Sequence, residues 1–243
     1  MQEKEVRVEG SGEIGYGERY VAFLDVLGFK ALVLEADRHR DELDKILASL
    51  RGFREVLERY DATELRFSQF SDSVIISAPR TEQGMTYLFE ACVRVSTRLL
   101  KEGVLVRGGI ALGNVMHTSQ VAFGPAIVAA YEADTTGGPP RILLTPEVVE
   151  EGIESRLLLD KWPKIVVQDD YDGQMMLNIV LFAATAQRGM SAILDLDAGT
   201  AIARCIRQNC SEKHNIPAVV AKWRWFKRYW NDAVDENGFL PRA

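Results

Sequence analysis

The stretch RFSQFSDSVIISAP, from Arg66 to Pro79, decides the fold because it predicts a tight hairpin with an acidic tip. Two apolar runs flank Asp72 and Ser73, and no other residue separates them. Runs of this length around a polar tip are typical of a pair of antiparallel strands. A solvated turn residue is the simplest interpretation of Asp72. A second acidic residue, which follows another apolar run, makes a functional role the sharper hypothesis.

The segments around this hairpin alternate between strand-like and helix-like patterns. RYVAFLDVLGF, residues 19–29, is a short apolar run broken by a glycine, which suits a buried strand. Residues 29–60 and 81–101 read as long helices. VLVRGGIALGNV, residues 104–115, is rich in strand-forming residues. The order is βαββαβ, which predicts an α+β, ferredoxin-like (palm) fold whose first strand lies beside the hairpin in one antiparallel sheet flanked by helices.

The chain ends predict an arm and an appended helical region. Residues 1–17 are charged and glycine-rich, and we expect a flexible arm there. We expect one main domain over residues 18–180 and a C-terminal helical extension over residues 181–243 that packs on the core or on a second copy of the chain. Within the extension, three aromatic residues fall on one helix face. They are Trp223, Phe226 and Trp230.

Composition and charge favour a globular protein and argue against several functions. The chain has 243 residues, of which 47% are hydrophobic, and a net charge of -6 with a pI of about 5.3. A field of that sign does not favour duplex nucleic acid or an anionic membrane. No apolar run approaches the roughly 18 residues that span a bilayer, and the first ten residues show no secretory signal. We expect a cytoplasmic protein with no nucleic-acid or membrane partner.

The cysteines and histidines form no metal-binding pattern. Cys92, Cys205 and Cys210 show no CxxC spacing, and the three histidines are scattered along the chain. We therefore expect reduced thiols and no histidine-based metal site.

Two acidic residues are expected to meet at one end of the sheet. In the predicted topology, Asp25 lies at the end of the first strand and Asp72 at the tip of the neighbouring hairpin. Two adjacent carboxylates repel unless a cation lies between them. Hard divalent cations bind through one or two carboxylates plus substrate phosphates. Arg107 offers a charge-assisted contact to a phosphate. Each of the three residues also has an ordinary interpretation: a helix cap, a turn residue and an ion pair on a strand.

Four segments, in this order, resemble the class III nucleotidyl cyclases. They are YVAFLDVLGFK, FSQFSDSVIISAP, VRGGIALGNV, and FGPAIVAAYEAD with RILLTPEVVE, and they span about residues 18–150. The resemblance implies that Asp25 and Asp72 are catalytic metal ligands, with the Val26 carbonyl as a third, and that Arg107 is a catalytic phosphate contact. It also implies two Mg²⁺ or Mn²⁺ ions per site and a homodimer with the sites at its interface. The backbone expected to cradle the phosphates belongs to Val26, Leu27, Gly28 and Phe29.

Four positions depart from the purine cyclases of that family. Ser68 and Val121 stand where those enzymes read the base with a lysine and an aspartate. Val128 and Glu132 stand where an asparagine and an arginine steady the transition state. Two explanations follow: the chain is an inactive relative, or its base is not a purine.

The same segments resemble in particular the pyrimidine cyclases of bacterial Pycsar anti-phage systems, which also carry a helical tail with an aromatic-rich stretch. This resemblance implies conversion of UTP, with CTP second, to 3′,5′-cyclic UMP or cyclic CMP plus pyrophosphate, and a separate effector that reads the product. Ser68 suits a smaller base because its hydroxyl donates or accepts. Tyr60 is a second candidate for a residue that contacts the pyrimidine. A core aromatic at the end of a helix is the commoner role for such a residue. Lys30, Arg141 and Lys164 are candidates for the missing transition-state cation.

Two other functions are open on the sequence. Val128 and Glu132 favour a non-catalytic cyclase-like module that binds nucleotide or dimerises. A different palm enzyme, such as a diguanylate cyclase or a polymerase relative, is the other. The absence of a GG(D/E)EF run and of an acidic pair on one hairpin argues against it.

Overall fold

A computed structural model confirms the predicted palm fold with its βαββαβ order and C-terminal helices. It describes residues 15–37, 39–134, 138–170, 172–184, 193–211, 217–238 and 240–243. The strands are β1 (Gly17–Val26), β2 (Arg66–Phe70), β3 (Ser73–Pro79), β4 (Val106–His117), β5 (Ala122–Phe123), β6 (Ile142–Leu144), β7 (Val166–Gln168) and β8 (Met175–Leu177). The helices are α1 (Phe29–Ala36), α2 (Arg40–Leu57), α3 (Glu82–Lys101), α4 (Pro125–Glu132), α5 (Pro146–Glu154), α6 (Ile179–Ala184), α7 (Leu196–Cys210) and α8 (Pro217–Asn237).

The sheet has β1 near its middle, as the topology predicts. The strand order is β2-β3-β1-β4-β6-β8-β7, with β5 paired to the end of β4. β1 runs antiparallel to β3 on one side and to β4 on the other. The expectation of a purely antiparallel sheet is wrong at one ladder, because β6 runs parallel to β4. The chain crosses the sheet through α4 between those two strands, and a crossover of this kind returns the next strand in the same direction.

The first helical region is two helices rather than one. α1 ends at Ala36 and α2 begins at Arg40, with His39 in an extended conformation between them (φ −132°, ψ 117°). Of the eight residues between Leu34 and Leu43, only Ala36 is apolar. The break is consistent with that gap, because most of the stability of a helix in a protein comes from packing an apolar face.

The two faces of the sheet carry different helices. Ala22, Leu24 and Val26 alternate along β1 and join the main core, where α3 packs against β1, β3 and β4. Val21 and Phe23 point to the opposite face, where α4 packs on β1 and β4. This alternation follows from the two-residue period of a strand. The acidic residue of β1 continues the second series and therefore faces the α4 side.

The C-terminal helices pack on α3 and on one another. α6 and α7 contact α3, and α8 contacts both of them. Trp223, Phe226 and Trp230 are 4%, 2% and 1% exposed and belong to the main core. Their spacing therefore marks a packing face. The domain boundary at residue 180 stays a prediction, and residues 1–14 of the expected arm lie outside the described residues. Within the described part of the chain, no helix combines the length and the apolar character that a membrane span needs.

A buried arginine ties the β7–β8 hairpin to β6. Arg141, just before β6, is 3% exposed and donates to Asp169 and Asp172 beyond the end of β7. Its Nη1 lies 2.8 Å from Asp172 Oδ1. A buried cation needs such partners, because an unpaired charge in the interior is costly. Arg141 therefore has a structural role here, which leaves less reason to expect it to serve as a transition-state cation.

Candidate active site

The tip of the β2–β3 hairpin lies against the end of β1. The turn contains Ser71 and Asp72, since Phe70 pairs with Ser73, and Ser71 has a left-handed φ of 53°. The Val26 amide donates to the Asp72 carbonyl at 3.1 Å, and Asp25 pairs with Ser73 across the ladder. The hairpin therefore delivers the Asp72 carboxylate to its neighbour on β1, as the sequence predicts.

Asp25 is half-buried and held by two donors. Ser73 Oγ donates to Asp25 Oδ1 at 3.1 Å, and Arg107 Nε and Nη2 both lie 3.4 Å from Oδ2. Burial raises the pKa of Asp25, and the nearby charge of Asp72 raises it further, while Ser73 and Arg107 oppose the shift. A carboxylate in this position gains from any added positive charge. The pair is therefore suited to a cation.

Arg107 stands opposite Asp25 on β4 and is shared between two acids. Its Nε lies 3.8 Å from Asp134 Oδ2, and neither carboxylate makes the short two-pronged contact of a tight arginine pair. Arg107 is therefore held loosely. Such a guanidinium can turn towards a third anion without breaking a strong bond.

Asp134 is a residue of this site that the sequence analysis missed. It lies just beyond the end of α4, is 5% exposed, and its Oδ1 has no hydrogen-bond partner among the described residues. Burial raises its pKa to about 6, although Arg107 and Arg141 act in the opposite direction. The sequence signal is the Gly108–Gly109 pair, which permits a close backbone approach on β4 but does not reveal which residue approaches.

A small cavity of about 80 Å³ joins these groups. It is lined by Phe23, Asp25, Arg107, Gly108, Tyr131 and Asp134. The Phe23 and Tyr131 rings pack edge to face with centroids 5.2 Å apart, and Tyr131 is 55% exposed at the mouth. A cavity of this size holds a few water molecules or ions, not a nucleotide. The bulk of any larger ligand must lie outside it.

The backbone predicted to cradle phosphates is only partly available. The Val26 and Leu27 amides already donate to the carbonyls of Asp72 and Leu105. Gly28 caps α1 with a left-handed φ of 82°, which places the amides of Gly28 and Phe29 at the start of the helix. An α-helix leaves its first amides without an intrahelical acceptor, so these two are the ones that suit an anion.

The two predicted base contacts do not join this cluster. Ser68 lies on the same face as Asp25, but its Oγ is 3.0 Å from His117 Nε2. His117 is 2% exposed and its Nδ1 lies 2.9 Å from Ser77 Oγ. Tyr60 lies on the other face, where it packs against the main core with its ring 6.0 Å from that of Tyr87. The position of Tyr60 matches the core interpretation.

A lysine from the C-terminal extension adds a second positive charge near Arg107 and Asp134. Lys222 of α8 is partly buried, and its pKa is lowered by that burial and by Arg107, while Asp134 raises it. No sequence pattern connects residue 222 with β4. Packing of α8 on α6 and α7 brings Lys222 here.

The solved structures that this chain resembles include adenylyl and guanylyl cyclase domains and a cyclase-like protein. Adenylate/guanylate cyclase/hydrolase from Silicibacter pomeroyi is 11% identical with a TM-score of 0.45, over 66% of this chain and 94% of that one. The monomeric guanylyl cyclase domain of the RhoGC fusion protein from Blastocladiella emersonii is 12% identical with a TM-score of 0.43, over 66% and 94%. A class III adenylyl cyclase-like ATP-binding protein from Pseudomonas aeruginosa is 14% identical with a TM-score of 0.44, over 56% and 35%. No protein family and no curated protein matches the sequence.

The donors at this site are oxygen atoms only. Among the described residues, no group of three His, Cys, Asp or Glu side chains is placed to hold a metal ion. The Asp25–Asp72 pair offers two carboxylates, and the pKa of Asp25 is raised first by burial and then by the charge of Asp72. Such a set fits Mg²⁺ or Mn²⁺, which keep several waters and take further oxygen ligands from a substrate phosphate. It does not fit a cation that needs a complete protein cage.

Proposed function

We propose that this protein is a nucleotidyl cyclase that converts UTP, or secondarily CTP, to the 3′,5′-cyclic monophosphate and pyrophosphate. The observation that carries the proposal is the Asp25–Asp72 pair beside Arg107, at the entrance of α1. Two repelling carboxylates, a loosely held guanidinium and the first amides of a helix are the groups that a metal-bound triphosphate needs.

Each residue of the site has a defined task in that reaction. Asp25 and Asp72, with the Val26 carbonyl, would hold the divalent cations, which when bound activate a ribose hydroxyl and neutralise phosphate charge. Arg107 turns from Asp25 towards the phosphates and stabilises the charge that develops on the leaving pyrophosphate. The amides of Gly28 and Phe29 donate to phosphate oxygens. No side chain of this group needs to act as a nucleophile, because the substrate supplies its own hydroxyl.

The choice of a pyrimidine rests on what the sequence lacks at the base-reading positions. Ser68 replaces a lysine and Val121, which is 46% exposed, replaces an aspartate. The bond from Ser68 to His117 supports an indirect role in which the histidine sets the direction of the hydroxyl. The product would act as a second messenger in anti-phage defence and would be read by a separate effector.

The proposed enzyme works as a homodimer whose interface is the α4 face of the sheet. Several large apolar residues on or beside this face are strongly exposed, which is unusual for a monomer. They are Tyr16, Phe70, Val121, Phe123, Val128 and Tyr131. A second copy covering them would also enclose the open cavity next to Asp25.

A product assay tests the proposal. Purified protein is incubated with Mn²⁺ or Mg²⁺ and, separately, with UTP, CTP, ATP and GTP, and products are separated by chromatography. We expect a cyclic pyrimidine monophosphate that disappears in Asp72→Asn and persists in the control Asp44→Asn, an exposed acid on α2. A purine product would overturn the base assignment, and an undiminished Asp72→Asn would overturn the site.

The second candidate function is a cyclase-like module that binds nucleotide without turnover. Val128 and Glu132 favour it, because both are exposed on α4 where a catalytic asparagine and arginine are expected from the family pattern. Metal-dependent binding of a triphosphate with no product from any of the four nucleotides would establish this function instead.

A further inference from the structure

Arg107 has two acidic partners, Asp25 and Asp134. Only Asp134 is not a proposed ligand of the divalent cation. Asp25 is a proposed metal ligand, so its carboxylate is withdrawn from the guanidinium when a cation binds. Asp134 is then the acid nearest to Arg107 Nε, at 3.8 Å. An arginine with no fixed partner would populate several rotamers, and its guanidinium would no longer point in one direction.

The position of Asp134 is built into the packing of α4 on β4. A Cβ added at Gly109 would lie 2.2 Å from the Ala130 carbonyl oxygen and 2.7 Å from Ala133 Cβ. The glycine therefore lets the last turn of α4 lie directly on the strand. Asp134 follows that turn and lines the cavity together with Arg107. Arg107 lies on β4 two residues before Gly109, so the two share one face of the strand.

The buried carboxylate of Asp134 also lacks one of the hydrogen bonds that a buried carboxylate normally accepts. It is 5% exposed, and its Oδ1 is buried without a hydrogen-bond partner among the described residues. A buried carboxylate oxygen without a donor is destabilising. A guanidinium that swings away from Asp25 could make the short two-pronged contact with Asp134 that it does not make in this structure.

We propose that Asp134 is a positioning residue that holds Arg107 over the cavity for a triphosphate once a divalent cation has taken Asp25. This inference rests on the proposed function and deepens it. Asp134 touches neither cation nor substrate, and it acts by limiting the directions in which the guanidinium can point. The C-terminal extension takes part through Lys222, whose charge interacts with both Arg107 and Asp134.

Inorganic tripolyphosphate is the probe that tests this role, because it has no base and no attacking hydroxyl. Affinities are measured by calorimetry in saturating Mn²⁺, and Mn²⁺ affinity is measured separately from the electron paramagnetic resonance signal of the free ion. We expect Asp134→Asn to weaken tripolyphosphate about tenfold and to leave Mn²⁺ affinity within about twofold. Asp44→Asn is the matched control and should change neither affinity.

A double-mutant cycle separates positioning from a general structural effect. If Asp134 acts through Arg107, then Arg107→Gln with Asp134→Asn binds tripolyphosphate no more weakly than Arg107→Gln alone. Additive losses would overturn the inference, and so would a loss of Mn²⁺ affinity as large as that of Asp72→Asn. If Asp134→Asn does not fold, Asp134→Glu keeps the charge, displaces it by one methylene, and must show the same selective loss.

The two proposals fail in different ways. Wild-type protein that binds neither Mn²⁺ nor tripolyphosphate would overturn both. Wild-type protein that binds both ligands, with tripolyphosphate affinity unchanged in Asp134→Asn, would overturn the role of Asp134 and leave the cyclase proposal standing.

Discussion

Single residues at the candidate site form a line of alternating charge. Asp25, Arg107, Asp134 and Lys222 come from β1, β4, the end of α4 and α8, and each is held near a residue of opposite sign. Arg107 lies 3.4 Å from Asp25 and 3.8 Å from Asp134, which is long enough for it to change partners. Such an arrangement suits a site that must accept both a cation and an anion.

Replacing Asp25 by Asn should separate activity from stability. The pKa of Asp25 is raised by burial and by Asp72, so its ionised form is disfavoured in the folded protein. We expect cyclase activity to fall by about a hundredfold or more, as losses of charge stabilisation do, while the melting temperature stays equal or rises. Product assay and thermal unfolding on one preparation measure both. A large drop in melting temperature would show that the carboxylate is needed for folding.

His117 should make the protein sensitive to mild acid. Burial lowers its pKa to about 4, from 6.5, and the charges of Arg19 and Arg66 act in the same direction. Because the unfolded chain binds the proton more readily, the contribution of His117 to stability is complete above about pH 6.5 and is lost as the pH falls towards 4.

Urea unfolding at pH 7 and pH 4.5 measures this loss. His117→Asn should be less stable at pH 7, because it disturbs the bonds to Ser68 and Ser77, but should lose less stability on acidification. An equal loss in both proteins would assign the sensitivity to other groups.

At the scale of elements, the contact of α4 with β4 sets the geometry of the site. Gly109 provides the close approach, and Gly124 caps the start of α4 with a φ of 147°. The hairpin tip and the start of α1 contribute the other groups. The site at the end of β1 is therefore built from three separate parts of the chain: the end of α4, the β2–β3 turn and the start of α1.

Gly109→Ala should displace α4. The new methyl group would overlap the Ala130 carbonyl and the Ala133 side chain, and overpacking of this kind costs about 1–3 kcal/mol. We expect a lower free energy of unfolding together with weaker tripolyphosphate binding, because Asp134 moves with the helix. Gly17→Ala is the control, since a Cβ there has nothing within 4 Å. Equal stability of the two variants would mean that α4 shifts at no cost.

Local patterns predicted the elements better than the contacts between them. The βαββαβ order followed from periodicity within short stretches of chain, and the meeting of Asp25 with Asp72 followed from the rule that consecutive strands tend to be neighbours in a sheet. The break at His39 and the parallel β4–β6 ladder did not follow, since each depends on packing. Asp134 and Lys222 were missed for the same reason: only the folded chain brings them to Arg107. The roles of all these residues stay predictions.

At the scale of the whole molecule, the exposed α4 face should determine the oligomeric state. Val128, 54% exposed, lies on this face. We expect Val128→Lys to weaken a homodimer by about tenfold or more, because it places a charge in an apolar contact. Analytical ultracentrifugation over a concentration series measures the dissociation constant.

Leu159→Lys is the matched control for that experiment. Leu159 is 53% exposed in the short π-helical turn Leu157–Lys161, after α5. It should leave association unchanged. A wild-type protein that stays monomeric at high concentration, or two variants with equal effects, would contradict the proposed interface.

The buried clasp of Arg141 with Asp169 and Asp172 has a consequence for how this chain can evolve. Loss of the arginine would remove the cation that two acids share, and loss of Asp169 would leave Arg141, which is 3% exposed, with Asp172 as its remaining acid in this clasp. Single substitutions at these positions are therefore disfavoured, although a joint replacement by apolar residues is tolerated in principle. Lineages that diverge elsewhere in β6, β7 and β8 should therefore keep or exchange these three residues together.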